Sequence, residues 1–155
     1  NIREFELPGV WTAVADPMYL ARGIATAIKH ANEHHAGELE VSHVLYKFPH
    51  TIRTGRLSDA ACDFDRLLGP FGTSDLFAVG GRDTIDQPWT SSEQRSAAPT
   101  GQFSSNRAAN AETGKQYHDY MVERLVEFLA WWQSHDELSA PASPKAPRGE
   151  GEELP

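Results

Sequence analysis

From Tyr117 to Trp132 the apolar residues fall at helical spacing: Tyr117, Met121, Leu125, Phe128 and Trp132 form one stripe, and Val122 and Leu129 widen it. A stripe of that length commits roughly residues 108–133 to one long helix with a face that must be buried. Gly114 falls in its first turns, where glycine costs about 1 kcal/mol relative to alanine. A glycine kept there implies that another backbone passes close by. Beyond Asp136 the pattern collapses into Pro, Ser, Ala, Gly and Glu, a tail that cannot bury enough apolar surface to fold alone. The chain therefore divides into a folded part, residues 1–135, and a tail, residues 136–155.

The stripe must find its partner surface in a short chain. Asp16-Pro17 is a helix start, with Asp at the cap and Pro in the first turn, and Leu20, Ile24, Ala27, Ile28 and Ala31 continue a helix to about residue 31. Val41, Val44, Leu45 and Phe48 make one face of a second helix that begins near Gly37 and stops before Pro49. Short strands are expected near residues 10–14, at Ile52 and at Leu76-Phe77-Ala78-Val79, and a short helix at 59–68. Residues 80–106 read as one long polar loop, and loops of that length in a compact domain are usually functional or disordered. No internal repeat is present.

Charge and cysteine content narrow the function classes. The 155 residues carry a net charge of −8 with no clustered basic stripe, which excludes nucleic acid as the expected partner. No window approaches the roughly 20 apolar residues that a membrane span needs. The single cysteine, Cys62, allows neither an internal disulfide nor a cysteine-built zinc site, so a cytoplasmic location is the expectation.

The chemistry concentrates in His35-Ala36-Gly37-Glu38-Leu39-Glu40-Val41-Ser42, an imidazole five residues ahead of a carboxylate at the mouth of the second helix. Imidazole titrates near neutrality and suits proton transfer, and a first-turn carboxylate can hold a cation or orient an imidazole. Each also has a plain structural reading: His35 as a capping or solvated residue, Glu40 as an acid favoured by the helix dipole. Glu38 reads as solvated and His43 as a packed or surface residue. His30 and His34, four apart, could chelate a metal only if one helix held both. Trp89 and Phe103 lie in polar loops, where an aromatic ring either covers a ligand or plugs the core. No nucleophile elbow and no phosphate loop is present.

The octapeptide resembles the His-Ala-Gly-x-x-Glu-Thr-Ser signature of the creatininase family, with Val41 in place of Thr. Leu45 and Pro49 continue the match. A second block, Gly101 to Gly114, is similar through Gly101, Ala109, Glu112 and Gly114, but Ser104-Ser105-Asn106 replaces the family's Gly-Asp-Pro turn. The resemblance implies a three-layer α/β/α domain with a mostly parallel sheet, of which this chain is the carboxyl-terminal part. It implies a metal-dependent hydrolase of a small polar cyclic substrate, a cyclic amide or a polyol-derived cyclic ketone, using a divalent ion such as zinc, manganese or iron. His35 would shuttle the proton and Glu40 would lie at or behind the metal. Asn32, Glu33, Trp89 and Phe103 are the expected substrate-binding residues. Asn32 stands where creatininase itself has Asp, and Ala31 where it has Trp, which argues against creatinine as the substrate.

The family's upstream Glu-x-His-Gly-x-His and Asn-Gly-His-Gly-Gly-Asn segments are absent from these 155 residues. The missing ligands are therefore expected on an upstream segment or a second polypeptide, in a homo- or hetero-oligomer. The alternative is a non-catalytic subunit or interaction module that keeps the fold without a metal site.

Overall fold

A computed structural model describes residues 13–59, 62–63, 75–77 and 89–134. Its regular structure there is helical: α1 (Pro17–Leu20), α2 (Arg22–Ile28), α3 (Glu38–Lys47), α4 (Ser91–Ala97) and α5 (Ala111–Gln133), with single 3-10 turns at Pro49–Thr51 and Thr54–Arg56. The chain falls into two compact units, residues 16–125 and residues 1–15 with 126–155.

The first unit opens with the expected cap. The Asp16 carboxylate accepts from the Met18 amide at 2.9 Å, and Pro17 occupies the first turn of α1. The single helix expected to residue 31 is instead two short helices broken at Ala21, ending at Lys29, whose backbone is extended. His30 and His34 thus lie beyond the helix, and the four-residue spacing that would have paired them on one face does not exist.

α3 runs from Glu38 to Lys47 as the periodicity requires, and Pro49 follows its end. Leu39 on α3, Ala21 and Ala25 around α2, Phe77, and Tyr117 and Met121 on α5 form the buried core, with Met18, Ile24 and Ile28 packed against it. Burying a leucine or phenylalanine side chain of this kind contributes about 1.5–3 kcal/mol. A turn at 75–77 delivers Phe77. Asp75 pairs with Lys29, its carboxylate accepts from the Glu33 and Phe77 amides, and the Leu76 amide donates to the Glu33 carbonyl at 2.8 Å.

No strand occurs among the described residues. Val14 is fully exposed, Ile52 lies between the two 3-10 turns, and Leu76-Phe77 is a turn. The remaining expected strand residues, 10–12 and 78–79, and most of the expected 59–68 helix lie outside the described residues. The long polar loop is corrected in part, because residues 91–97 are helical. Thr90 accepts from the Glu93 amide while Glu93 reaches back to the Thr90 amide, a reciprocal cap written in the sequence as Thr-x-x-Glu.

The Gly114 expectation is met. A Cβ placed there would lie 1.9 Å from the Ser42 carbonyl oxygen, so α3 and α5 cross backbone to backbone. The Ser42 hydroxyl, fully buried, accepts from the Asn110 amide at the start of α5 at 3.0 Å. Further along the crossing, Lys47 donates to His118 Nε2 (3.4 Å), which leaves the His118 proton on Nδ1 to donate to His43 Nε2 (3.0 Å). His43 also meets the Tyr117 ring edge to face, and burial, with His118 and Lys47 beside it, pushes its pKa below the usual histidine value.

Tyr117 and Met121 of the predicted stripe are buried, but Val122, Leu125 and Leu129 are exposed, so the stripe is narrower than its sequence suggests. In the second unit Phe128 packs on Trp132 with ring centroids 5.0 Å apart, and Trp131 and Val126 are exposed.

In an exposed helix Gly114→Ala would stabilise by about 1 kcal/mol. Here the added methyl meets backbone that cannot rotate away, and destabilisation by about 3 kcal/mol is expected. Urea unfolding of the variant checks this, and a rise in midpoint would show that the helices are not in backbone contact.

Candidate active site

The site is built around the first turn of α3. Its cap residue is Gly37, which has no side chain to satisfy the free amides of a helix start. Glu33 does so instead, accepting from the Leu39 amide at 2.9 Å and the Glu40 amide at 3.2 Å. The carboxyl lies against Gly37, where a Cβ would sit 2.7 Å from Glu33 Oε1. That requires a glycine at 37. Between them the chain turns tightly, with the Gly37 amide donating to the His34 carbonyl and Ala36 held at φ 55°, a conformation uncommon for a residue with a Cβ.

Two more carboxylates staple the same turn. Glu38, expected to be solvated, has a side chain only 1% exposed. It accepts from the His30 amide at 2.8 Å and from His30 Nδ1 at 2.6 Å. Glu40 accepts from the Ala36 amide at 2.7 Å through one oxygen. Its other oxygen lies 3.9 Å from His35 Nδ1. The His35 side chain is 63% exposed and that of Glu40 36% exposed, so this pair is the part of the turn that faces outward.

Behind the pair lie aromatic rings. His34 is buried, its Nδ1 accepts from the His35 amide at 2.9 Å, and its ring stacks on Phe103 with centroids 5.2 Å apart. Phe103 meets His35 edge-on at 5.4 Å and Trp89 at 6.1 Å. Its backbone is fixed on both sides, donating to the His35 carbonyl at 2.9 Å and accepting from the Cys62 amide at 3.1 Å. The Trp89 indole N–H is buried with no hydrogen-bond partner among the described residues.

The structure thus brings His35, Glu40, Phe103 and Trp89 together. Glu33 stands beneath them, fully buried and directed at the helix amides, and Asn32 is exposed ahead of it. Two residues that the sequence reading passed over hold the loop in place. Asn106 donates to the Ala36 carbonyl and accepts from the Ser58 amide. Gln102 spans Ser58 and Ser104 with both ends of its amide. The only sequence signal for Asn106 was its departure from the family turn.

The chain belongs to the creatininase family: the family model described as creatinine amidohydrolase matches residues 5–129. No curated protein and no solved structure matches it. Family membership carries an α/β fold, hydrolase chemistry and dependence on a divalent metal ion. Among the described residues, no group of three or more His, Cys, Asp or Glu side chains is arranged to hold a metal. At the helix mouth one Glu40 oxygen is committed to the Ala36 amide, so these residues do not make up a complete metal site. No described helix is long and apolar enough to cross a membrane.

Burial raises the Glu33 carboxyl from 4.5 to about 7, against the lowering effect of its two amide donors and with help from the charges of Glu40 and Glu38. The folded state therefore binds this proton more tightly than the unfolded chain. The associated stability is complete below the unfolded value and is lost as pH rises through the folded one, by about 3 kcal/mol. Unfolding of wild type and Glu33→Gln at about pH 5 and about pH 7.5 should show the wild type losing stability relative to the variant across that window. Parallel pH dependence would show that Glu33 ionises normally.

Proposed function

We propose that this chain contributes the proton-transfer half of a metal-dependent amidohydrolase acting on a small polar cyclic substrate, a cyclic amide or a polyol-derived cyclic ketone. The observation that carries the proposal is the outward-facing His35–Glu40 pair on a tightly stapled helix mouth, in a chain of the creatininase family.

Opening a cyclic amide consumes one water and breaks the bond between carbonyl carbon and nitrogen. The departing nitrogen then needs a proton. His35, exposed at the mouth and backed by Glu40, is the group placed to give it. The Glu40 carboxylate lies 3.9 Å from His35 Nδ1 and orients the ring. Phe103 and Trp89 form the aromatic wall, and the Trp89 indole N–H, without a partner among the described residues, is a donor for a substrate acceptor atom. Asn32, exposed ahead of the turn, completes the substrate side in the family pattern, whereas Glu33, expected there too, is buried and holds the turn from beneath.

The sheet of the three-layer α/β/α domain and the remaining metal ligands belong to the same proposal. The ligands come from an upstream segment or second polypeptide carrying the Glu-x-His and Gly-His-Gly-Gly-Asn motifs. The ion is zinc, manganese or iron, and the working unit is a homo- or hetero-oligomer in the cytoplasm. Because the described residues do not form the metal site, no step is assigned to the ion.

His35→Ala should lower turnover of a responsive cyclic amide by at least ~100-fold with the fold intact by circular dichroism. Turnover near the wild-type value would contradict the assignment. Trp89→Phe, which keeps the ring contact and removes the indole N–H, should lower kcat/KM by ~10-fold, the scale of one hydrogen bond. An unchanged kcat/KM would remove Trp89 from the site.

A further inference from the structure

Beside the helix mouth a cleft of about 360 Å³ opens between α3 and the two 3-10 turns. Arg53 and Arg56 line it together with Val41, Ile52, Leu57 and Asn106. Its charge is set apart from the rest of the molecule. The chain as a whole carries −8, yet from Val41 to Ser58 it has Lys47, Arg53 and Arg56 and no acidic residue. The next acid along the chain, Asp59, is already paired with Arg107. Neither Arg53 nor Arg56 makes an ion pair among the described residues.

Two guanidinium groups lining one cleft repel each other, and a bound anion relieves that repulsion. Guanidinium also presents paired donors that match the oxygens of a carboxylate or a phosphate. Val41, Ile52 and Leu57 add an apolar wall, which suits an organic anion better than a bare inorganic ion. The cleft borders the candidate site through Asn106, which lines the cleft and donates to the Ala36 carbonyl of the His35 turn.

We infer that the cleft binds the anionic group, carboxylate or phosphate monoester, of a small organic substrate whose reacting ring lies at His35. The inference rests on the proposed hydrolase reading and narrows its substrate class to acids. It assigns Arg53 and Arg56 as specificity-determining residues.

Binding tests this without any turnover. Phenyl phosphate, benzoate and uncharged benzyl alcohol would each be titrated calorimetrically into the purified chain, its Arg53→Gln/Arg56→Gln variant and its His35→Ala variant. Both arginines are exposed, so the double variant should fold, and its thermal unfolding is to be measured beside that of the wild type. Both anions should bind the wild type and His35→Ala alike and lose at least ~10-fold in the double variant. The wild-type affinity should also fall with added salt. Tighter binding of phenyl phosphate than of benzoate would assign the phosphate class, and the reverse the carboxylate class. Anion binding unaffected by loss of the arginines, no anion binding, or equal binding of benzyl alcohol would each overturn the inference. Because the readout is binding, the hydrolase reading can fail through an active His35→Ala while the anion site stands, and the converse holds too.

Discussion

The Leu39 and Glu40 amides at the start of α3 point into the interior, and the cap position, Gly37, has no side chain to meet them. The Glu33 carboxyl fills that role from four residues upstream. Much of the site follows from this one interaction. It closes the turn through His34 to Gly37, excludes any larger residue at 37, and turns His34 inward onto Phe103 while His35 stays outside. The carboxyl is expensive to bury, and its raised pKa records the expense. The surrounding bonds hold it there. Asp75 and Leu76 grip the Glu33 backbone, and Glu38 grips His30 just before it. A turn secured at so many points can present one imidazole and one carboxylate in a fixed relation, which acid–base catalysis requires.

The second constraint is the crossing of α3 and α5. Gly114 lets the two backbones meet, and at the same place the Ser42 hydroxyl accepts from the amide of Asn110, whose own side chain caps α5 by accepting from the Thr113 amide. Ser42 and Gly114 come from the two separate blocks of family resemblance, and the crossing is what couples them. The His35 turn precedes α3 and the Phe103 loop precedes α5, and the two meet directly, the Phe103 amide donating to the His35 carbonyl. The Lys47–His118–His43 chain extends it along the helices.

Much of this was legible in the sequence, and the rest was hidden for physical reasons. Asp16-Pro17, the α3 periodicity and the misplaced glycine at 114 are local signals with local causes, and each appears where expected. His35, Glu40, Trp89 and Phe103 lie beside one another, although the sequence places them up to 68 residues apart. The roles of Glu33 and Glu38 were not readable from their own positions, because both carboxylates serve backbone amides that other residues leave unsatisfied. The usable clue was Gly37, a cap without an acceptor, which demands one from elsewhere. The α4 helix is hidden in the sequence because its polar composition outweighs a four-residue capping pattern. The buried face of α5 is narrower than its apolar stripe because spacing alone does not say how far a partner surface extends, and Leu125 and Leu129 are exposed. Asn106 and Gln102 work through contacts distant in sequence, to Ala36 and Ser58, which no local pattern announces.

These constraints describe a stapled helix mouth with an aromatic wall, an adjacent basic cleft and, among the described residues, no group of three or more His, Cys, Asp or Glu side chains arranged to hold the ion its family uses. The most direct measurement is metal-edge anomalous diffraction from crystals of the catalytically competent assembly containing this chain. The account predicts one or two ions beside the Glu40 carboxylate and facing His35, with most ligands donated by histidines and acids outside residues 1–155. An ion held entirely by residues of this chain, or ions in an active assembly lying far from His35 and Glu40, would contradict it.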